Sequence, residues 1–283
     1  MTTIQGAAAA VTGAASGIGR ALAIELAARG CNLALADRDE GGLQAVAAEI
    51  ARTTPRKVSL HRVDVGERDQ IADFAKAAIS AHPTLNIVIN NAGVALLGQF
   101  HEIGQAQMEW LFDINFWSVV HSTRAFLTHL ATRPQGHVVN ISSIYGIVAP
   151  PGQTAYSSAK FAVRGFSESL RHELQADNSP VRLSVVHPGG VSTNIARNMR
   201  MGSGIADNER RAQAIEWFDQ FARTTPKDAA LRIIAGIEKN QPRILIGNDA
   251  RLMDLLQRLL PATYWRVLAR RTEKMRKAAE KKA

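Results

Sequence analysis

The chain has 283 residues, a formal net charge of +9, 46% hydrophobic residues and a single cysteine, Cys31. That is long enough to bury a sizeable core as one large domain or two small ones, with the apolar share of an ordinary globular protein. One cysteine excludes an intrachain disulfide and fits a reducing compartment, and the lack of any uninterrupted apolar run of roughly 18 residues excludes an obvious membrane-spanning helix.

Residues 7–11 read as a first strand, with no basic segment and apolar stretch of a secretion signal before it, so a cytoplasmic location is expected. The strand runs into Thr12-Gly13-Ala14-Ala15-Ser16-Gly17-Ile18-Gly19, and a helix follows over 17–29. Glycines let the backbone turn sharply and approach a pyrophosphate, while the free N–H groups and dipole of the helix attract its charge. The spacing is Gly-x-x-x-Gly-x-Gly rather than the commonest dinucleotide fingerprint, but its place between a strand and a helix marks Gly13, Ser16, Gly17, Ile18 and Gly19 as a dinucleotide cradle.

A second strand, 32–36, ends at Asp37. A carboxylate there can accept hydrogen bonds from both hydroxyls of an adenosine ribose and repels a 2′-phosphate, which favours NAD; Arg38 follows directly and could pair with that phosphate, which leaves NADP open. After a helix over 40–52 and a third strand, 58–60, Asp64 and Val65 stand where they could meet an adenine edge. Asp64 serves equally well at the N-terminus of the next helix, 67–81. The fourth strand, 86–90, ends in Asn90-Asn91-Ala92-Gly93, amides and a glycine that either brace the central sheet and touch a cofactor ribose or make a turn.

A long helix is expected over 104–131, then a fifth strand, 137–141, ending at Ser142-Ser143. In the helix expected over 154–176, Tyr156 and Lys160 are one turn apart on one face. A phenol is a poor base near neutral pH, but a neighbouring ammonium favours its ionised form, and such a tyrosine can move a proton to or from a substrate oxygen. A sixth strand, 182–186, leads into His187-Pro188-Gly189-Gly190. The alternation then breaks for a long insertion before the seventh strand, 243–246. Within that insertion 192–225 is expected to cover a ligand, with Ile215, Phe218 and Ala222 on one helical face. Ile195, Met199, Met201 and Trp217 add to its apolar character, so an apolar ligand is expected. Strand–helix alternation implies right-handed crossovers and a parallel sheet covered on both faces.

Beyond residue 250 the chain changes character. Residues 251–283 hold ten Lys and Arg against three Asp and Glu, so the other 250 residues carry only +2. Leu252, Leu255, Leu256 and Leu259 form one apolar helical face. Two readings are open: a helix packed on the body or a sister subunit with a solvated end, or a basic amphipathic segment lying on an anionic membrane. The near-neutral body and the absence of a base-reading motif argue against nucleic acid.

Over residues 5–250 the chain resembles the short-chain dehydrogenase/reductase family, classical type. The resemblance rests on Thr12–Gly19, Asn90–Gly93, Asn115, Ser143, Tyr156, Lys160 and Pro188-Gly189-Gly190-Val191-Ser192-Thr193, all in family order. It implies an α/β fold: a single doubly wound Rossmann-type domain (1–250) with a seven-stranded parallel sheet, here with a C-terminal helical extension (251–283). It implies Tyr156 as acid/base, Lys160 as holder of the nicotinamide ribose, Ser143 rather than Ser142 as donor to the substrate oxygen, and Asn115 as holder of a relay water. Gly13, Ser16, Gly17, Ile18, Gly19, Asp37, Arg38, Asp64, Val65, Asn91, Ala92, Gly93, Pro188, Gly189, Val191 and Thr193 would contact NAD or NADP. No metal is called for, and dimers or tetramers are implied. The expected reaction moves a hydride between nicotinamide and a secondary alcohol or ketone, with a lipophilic compound such as a steroid, retinoid or long-chain alcohol as substrate.

Overall fold

The computed structural model describes residues 1–205 and 208–269. Seven strands form one parallel sheet: β1 (Ala8–Thr12), β2 (Asn32–Asp37), β3 (Val58–Arg62), β4 (Leu85–Asn90), β6 (Gly136–Ile141), β7 (Val181–Pro188) and β9 (Arg243–Ile246), in the order β3-β2-β1-β4-β6-β7-β9. Two short strands, β5 (Leu96–Leu97) and β8 (Arg200–Met201), pair with each other outside it. The order reverses between β1 and β4, and in open α/β sheets the crevice at such a switch point, beyond the carboxyl ends of the strands, is where ligands bind.

The two faces of the sheet divide the core by strand periodicity. On β1 and β2, Ala9, Val11, Leu33 and Leu35 face one cluster, completed by α1 (Gly17–Ala28), α2 (Glu40–Thr53) and α8 (Pro226–Glu238). Ala8, Ala10, Ala34 and Ala36 face the other, where they make a shallow floor for Phe74 of α3 (Arg68–Ala81) and Phe126 of α5 (Ser118–Ala131). Those two rings meet edge-to-face at 5.7 Å, filling the depth that the alanines leave. A buried amide ladder ties the centre: Asn90 Nδ2 donates to Asn140 Oδ1 (2.8 Å), and Asn140 Nδ2 donates to Ser167 Oγ (3.0 Å) on α6 (Thr154–Ala176). Of the two readings for the fourth strand's end, Asn90 follows the first: it braces the sheet.

Two expectations are corrected. The helix expected over 104–131 is broken into α4 (Gln105–Phe112), a π turn at Asp113–Trp117, and α5. The widened turn carries Asn115, whose amide accepts from Val94 N–H and donates to Val94 C=O, both at 2.8 Å, so the helix bends to grip the chain beyond β4. The insertion is also shorter than the break in alternation suggested. Its last part is α8, a regular crossover helix packed on α1, so only the stretch from Val191 to the Val191–Thr224 bridge leaves the α/β pattern. That stretch contains β8 and α7 (Asn208–Phe221).

The C-terminal segment, for which two readings stand open, begins with α9 (Asn248–Leu259). It docks by its polar side: Ala250 and Asp254 are buried, and Asp254 pairs with Arg243 of β9 and with Arg258. Of the leucine face, Leu252, Leu255 and Leu259 point away from the body, while Leu256 is half-buried. Another helical turn occupies 264–269; the basic run 270–283 lies outside the described residues. Among the described residues no helix is long and apolar enough to cross a membrane.

Candidate active site

The glycine turn is shaped for something pressed against its backbone. Gly13 has φ +66° and Gly17 φ +55°, left-handed conformations that favour glycine. A Cβ on Gly13 would lie 2.8 Å from Ala92 Cα, and one on Gly19 would lie 2.0 Å from Gly13 O. Asn91 closes the turn onto β4: its Nδ2 donates to Thr12 O (3.0 Å) and Gly13 O (3.1 Å), while Thr12 Oγ1 accepts from Asn91 N–H and Ala92 N–H. Helix α1 begins at Gly17 with no side-chain cap from Ser16 and no acidic residue in its first turn. Its N-terminus therefore keeps a positive end for an anion. These residues fit a pyrophosphate.

Asp37 stands at the end of β2 with its carboxylate fixed toward that turn. Its Oδ2 accepts from Ala15 N–H (3.0 Å) and its Oδ1 from Asp39 N–H (3.1 Å). Arg38 is exposed on the rim. Asp64 Oδ1 accepts from Gly66 N–H (2.9 Å), which makes it a turn-forming residue before α3, while Val65 packs on the core. Asp64 also borders a cavity of about 260 Å³ shared with Gly66, Glu109, Trp110 and Ile114.

The second cluster lies where β4, β6 and α6 converge. Lys160 is buried on α6 and donates to Ile141 O (3.1 Å) at the end of β6. A Cβ on Gly93 would come within 3.2 Å of Asn115 Oδ1 and 3.5 Å of Lys160 Nζ, so all three meet at one point. Ser142 is spent on structure, its hydroxyl donating to Lys160 O (2.8 Å). Ser143 is the serine that faces Tyr156, and the hydrogen bond between their side chains favours the ionised phenol. Burial is the larger influence and holds the Tyr156 phenol above its usual range, contrary to the lowering expected from Lys160. The Lys160 ammonium sits over the Tyr156 ring, 5.8 Å from its centre. Burial in turn brings Lys160 down to about 8.

Behind Ser143 lies a residue that carried no signal in the sequence. His187 is fully buried at the end of β7, and its Nδ1 is 2.9 Å from Ser143 O. Burial lowers His187 to about 4, so its neutral ring holds the Ser143 carbonyl at physiological pH. The loop beyond β7 is fixed from the other side by Asp249, whose Oδ2 accepts from Gly190 N–H (2.7 Å). A Cβ on Gly189 would strike the same carboxylate. The loop brings Thr193 over the glycine turn, with its Cγ2 3.2 Å from where a Gly17 Cβ would be. Val191 is buried.

A protein-family model described as short chain dehydrogenase matches residues 7–203, more than half of the chain and including both clusters. The chain belongs to the short-chain dehydrogenase family. A relative named putative oxidoreductase SadH, from Mycobacterium tuberculosis, is 41% identical over 270 residues, covering 95% of this chain and 96% of its own. Among solved structures, a short-chain dehydrogenase/reductase from Burkholderia phymatum in complex with NAD is similar with a TM-score of 0.83 at 28% identity, over 91% of this chain and 95% of that one. A short-chain dehydrogenase from Streptomyces avermitilis matches with a TM-score of 0.76 at 27% identity, over 94% and 99%.

In this dehydrogenase the stretch between Val191 and Thr224 is tied to the chain beyond β4 at several points. β8 pairs with β5, Gln107 Nε2 donates to Met201 O (2.9 Å), and Arg210 grips both oxygens of Glu102. Arg200 stacks its guanidinium 3.8 Å from the centre of the Trp110 ring. Met199 is buried and Ile195, Met201, Ile215 and Phe218 are half-buried, while Trp217 and Phe221 remain exposed.

The buried histidines give the dehydrogenase an acid limit. His187, and His137 at the other end of the sheet, are held by burial at about 4 and about 3. In the unfolded chain each takes up a proton below about pH 6.5, so the unfolded state binds more protons in that window. The stability contribution is complete above about 6.5 and is lost as pH falls toward the folded values. Thermal unfolding from about pH 7.5 to about pH 4.5 should show a falling melting temperature, with a shallower slope for His187→Asn. Equal slopes would remove His187 from the acid limit.

Proposed function

We propose that this dehydrogenase transfers a hydride between NAD and a secondary alcohol or ketone with an apolar body. The observation that carries the reading is the convergence of Ser143, Tyr156, Lys160 and Asn115 beside the glycine turn, with Thr193 over it. A nicotinamide dinucleotide, when bound, supplies or accepts the hydride. Gly13, Ser16, Gly17, Ile18 and Gly19 hold its pyrophosphate, Asp37 its adenosine ribose, Lys160 its nicotinamide ribose and Thr193 its carboxamide. Asn91, Ala92 and Gly93 line the crevice between.

Ser143 and Tyr156 donate hydrogen bonds to the substrate oxygen and so stabilise the charge that develops there during reduction. Tyr156 then passes its proton to that oxygen; in oxidation it takes the proton back. Lys160, fixed by Ile141 O, favours the resulting phenolate. Asn115 directs its amide to Val94 and holds the π turn beside Lys160, where the resemblance places a relay water. His187 and Asp249 keep the two loops that carry Ser143 and Thr193 in register.

NAD is favoured over NADP by the fixed carboxylate of Asp37, and the NAD complex of the Burkholderia phymatum relative supports that choice. Asp37→Asn should raise kcat/KM for NADP relative to NAD by at least about tenfold. An unchanged ratio would assign cofactor choice elsewhere. An apolar substrate is supported by Met199, Met201, Ile215 and Phe218 in the stretch between Val191 and Thr224. Exposed Trp117 and Phe161 on the outer side of the π turn and α6 support association into dimers or tetramers, and the single buried Cys31 supports a reducing cytoplasm. The reading is tested by screening alcohols and ketones with NAD and NADP in parallel at the nicotinamide absorbance. Turnover that survives Tyr156→Phe undiminished overturns it.

A further inference from the structure

The C-terminal segment is wired to both sides of the site and yet shows an apolar face to solvent. Asp249, in the first turn of α9, fixes Gly190. Tyr264, in the turn that follows α9, accepts at its hydroxyl from Ala149 N–H (2.9 Å), in the loop between Ser143 and Tyr156. A Cβ on Gly247 would meet Thr224, and one on Gly190 would strike Phe221 O, so the end of α7 abuts the start of α9. These contacts place the segment on the rim of the candidate active site.

On its outer side Leu252, Leu255 and Leu259 are 46%, 54% and 69% exposed. Their spacing of three and four residues makes a single stripe. Leu260, Trp265 and Val267 are exposed beyond it, and Trp217 and Phe221 are exposed on α7. A helix normally turns such a stripe inward; here the inward side holds Ala250 and the ion-paired Asp254. The inversion costs hydration free energy unless something covers the stripe.

Charge selects what covers it. Arg251, Arg258 and Arg266 are exposed along the same segment, and its only acidic residue among 251–269, Asp254, is buried under Arg243 and Arg258. The sequence over 270–283 adds seven Lys and Arg against two Glu. A second copy meeting this face about a two-fold axis would bring the same cations against it. An anionic bilayer offers the opposite charge and an apolar interior, and Trp265 among the cations suits the headgroup boundary. We propose that α9 and the turn after it form a docking surface for an anionic lipid bilayer, next to the mouth of the site. The binding stands apart from the reaction assigned above.

Flotation of the full chain with vesicles tests this, comparing phosphatidylcholine alone with phosphatidylcholine containing phosphatidylglycerol. The wild type should float with the anionic vesicles and stay behind with the neutral ones. The double variant Leu255→Ser/Leu259→Ser should keep its melting temperature, because both side chains are exposed, and lose at least about tenfold in vesicle affinity. Arg251→Glu/Arg266→Glu should weaken recovery and its dependence on salt. Equal recovery with both vesicle types, or a leucine variant that floats like the wild type, overturns the proposal. So does a leucine variant whose only change is a smaller assembly in analytical ultracentrifugation, which would give the stripe to a second copy.

Discussion

Tyr156→Phe should cut turnover by about a thousandfold, within the range that loss of a positioned acid/base produces. The change removes one oxygen atom and leaves the ring in place, so folding and the thermal stabilisation conferred by NAD should persist. Ser143 remains as a donor to the substrate oxygen, but a serine hydroxyl cannot deliver a proton and then hold the negative charge. Tyr145 offers no substitute. Its ring stands at 89° to that of Tyr156 with centres 6.2 Å apart, and burial raises its hydroxyl to about 12. Steady-state rates combined with a melting-temperature shift on adding NAD separate loss of chemistry from loss of binding. A variant that loses both has lost the site's architecture, and the acid/base role would then need another witness.

The balance at Tyr156 also explains the breadth of the effect. Burial disfavours the phenolate, the Ser143 hydroxyl favours it, and Lys160 lies over the ring. Lys160→Met should therefore depress activity most where the ammonium is present, on the acid side of about 8. In the wild type the ammonium itself is lost as pH rises through about 8. The wild-type and Lys160→Met rates should converge above that value and diverge below it. Parallel pH profiles would mean that Lys160 serves only as a spacer.

Much of this was legible in the sequence because it is local. A strand, a glycine turn and a helix announce a cradle within thirteen residues, and Tyr156 and Lys160 share a face by helix periodicity alone. Only the family resemblance separated Ser143 from Ser142, and the structure gives a physical reason: the Ser142 hydroxyl is spent on Lys160 O. What stayed hidden depends on partners far apart in the chain. His187 reaches Ser143 across 44 residues, Asp249 reaches Gly190 across 59, and Tyr264 reaches Ala149 across 115. The π turn was hidden for the same reason, since Asn115 widens it by bonding Val94, and an uninterrupted helical pattern records nothing of that. The α9 stripe stayed open for a different reason: periodicity found an apolar face but could not say which way it points, because the burial of Asp254 depends on Arg243.

Gly19→Ala should lower the melting temperature and reduce NAD affinity by more than about a hundredfold, although alanine is the better helix former. Gly19 lies in the first turn of α1, where intrinsic propensity would favour the change by roughly 1 kcal/mol. The space decides otherwise. The new methyl would sit 2.0 Å from Gly13 O and 2.6 Å from Asn91 Nδ2, and both belong to the bond that closes the turn onto β4. A carbonyl of the main chain cannot swing aside as a side chain can, so the whole turn must shift, at a cost of about 3 kcal/mol. Gly41→Ala supplies the contrast. It lies in the first turn of α2 with Asp39 Oδ1, at 3.7 Å, as the nearest neighbour, and it should hold or slightly raise stability. Melting curves without cofactor report the packing cost, and NAD titration by calorimetry reports the cradle. If Gly19→Ala melts early but binds NAD normally, the close approach of Gly19 to Gly13 serves folding alone, and the pyrophosphate must be held by the N–H groups at the start of α1.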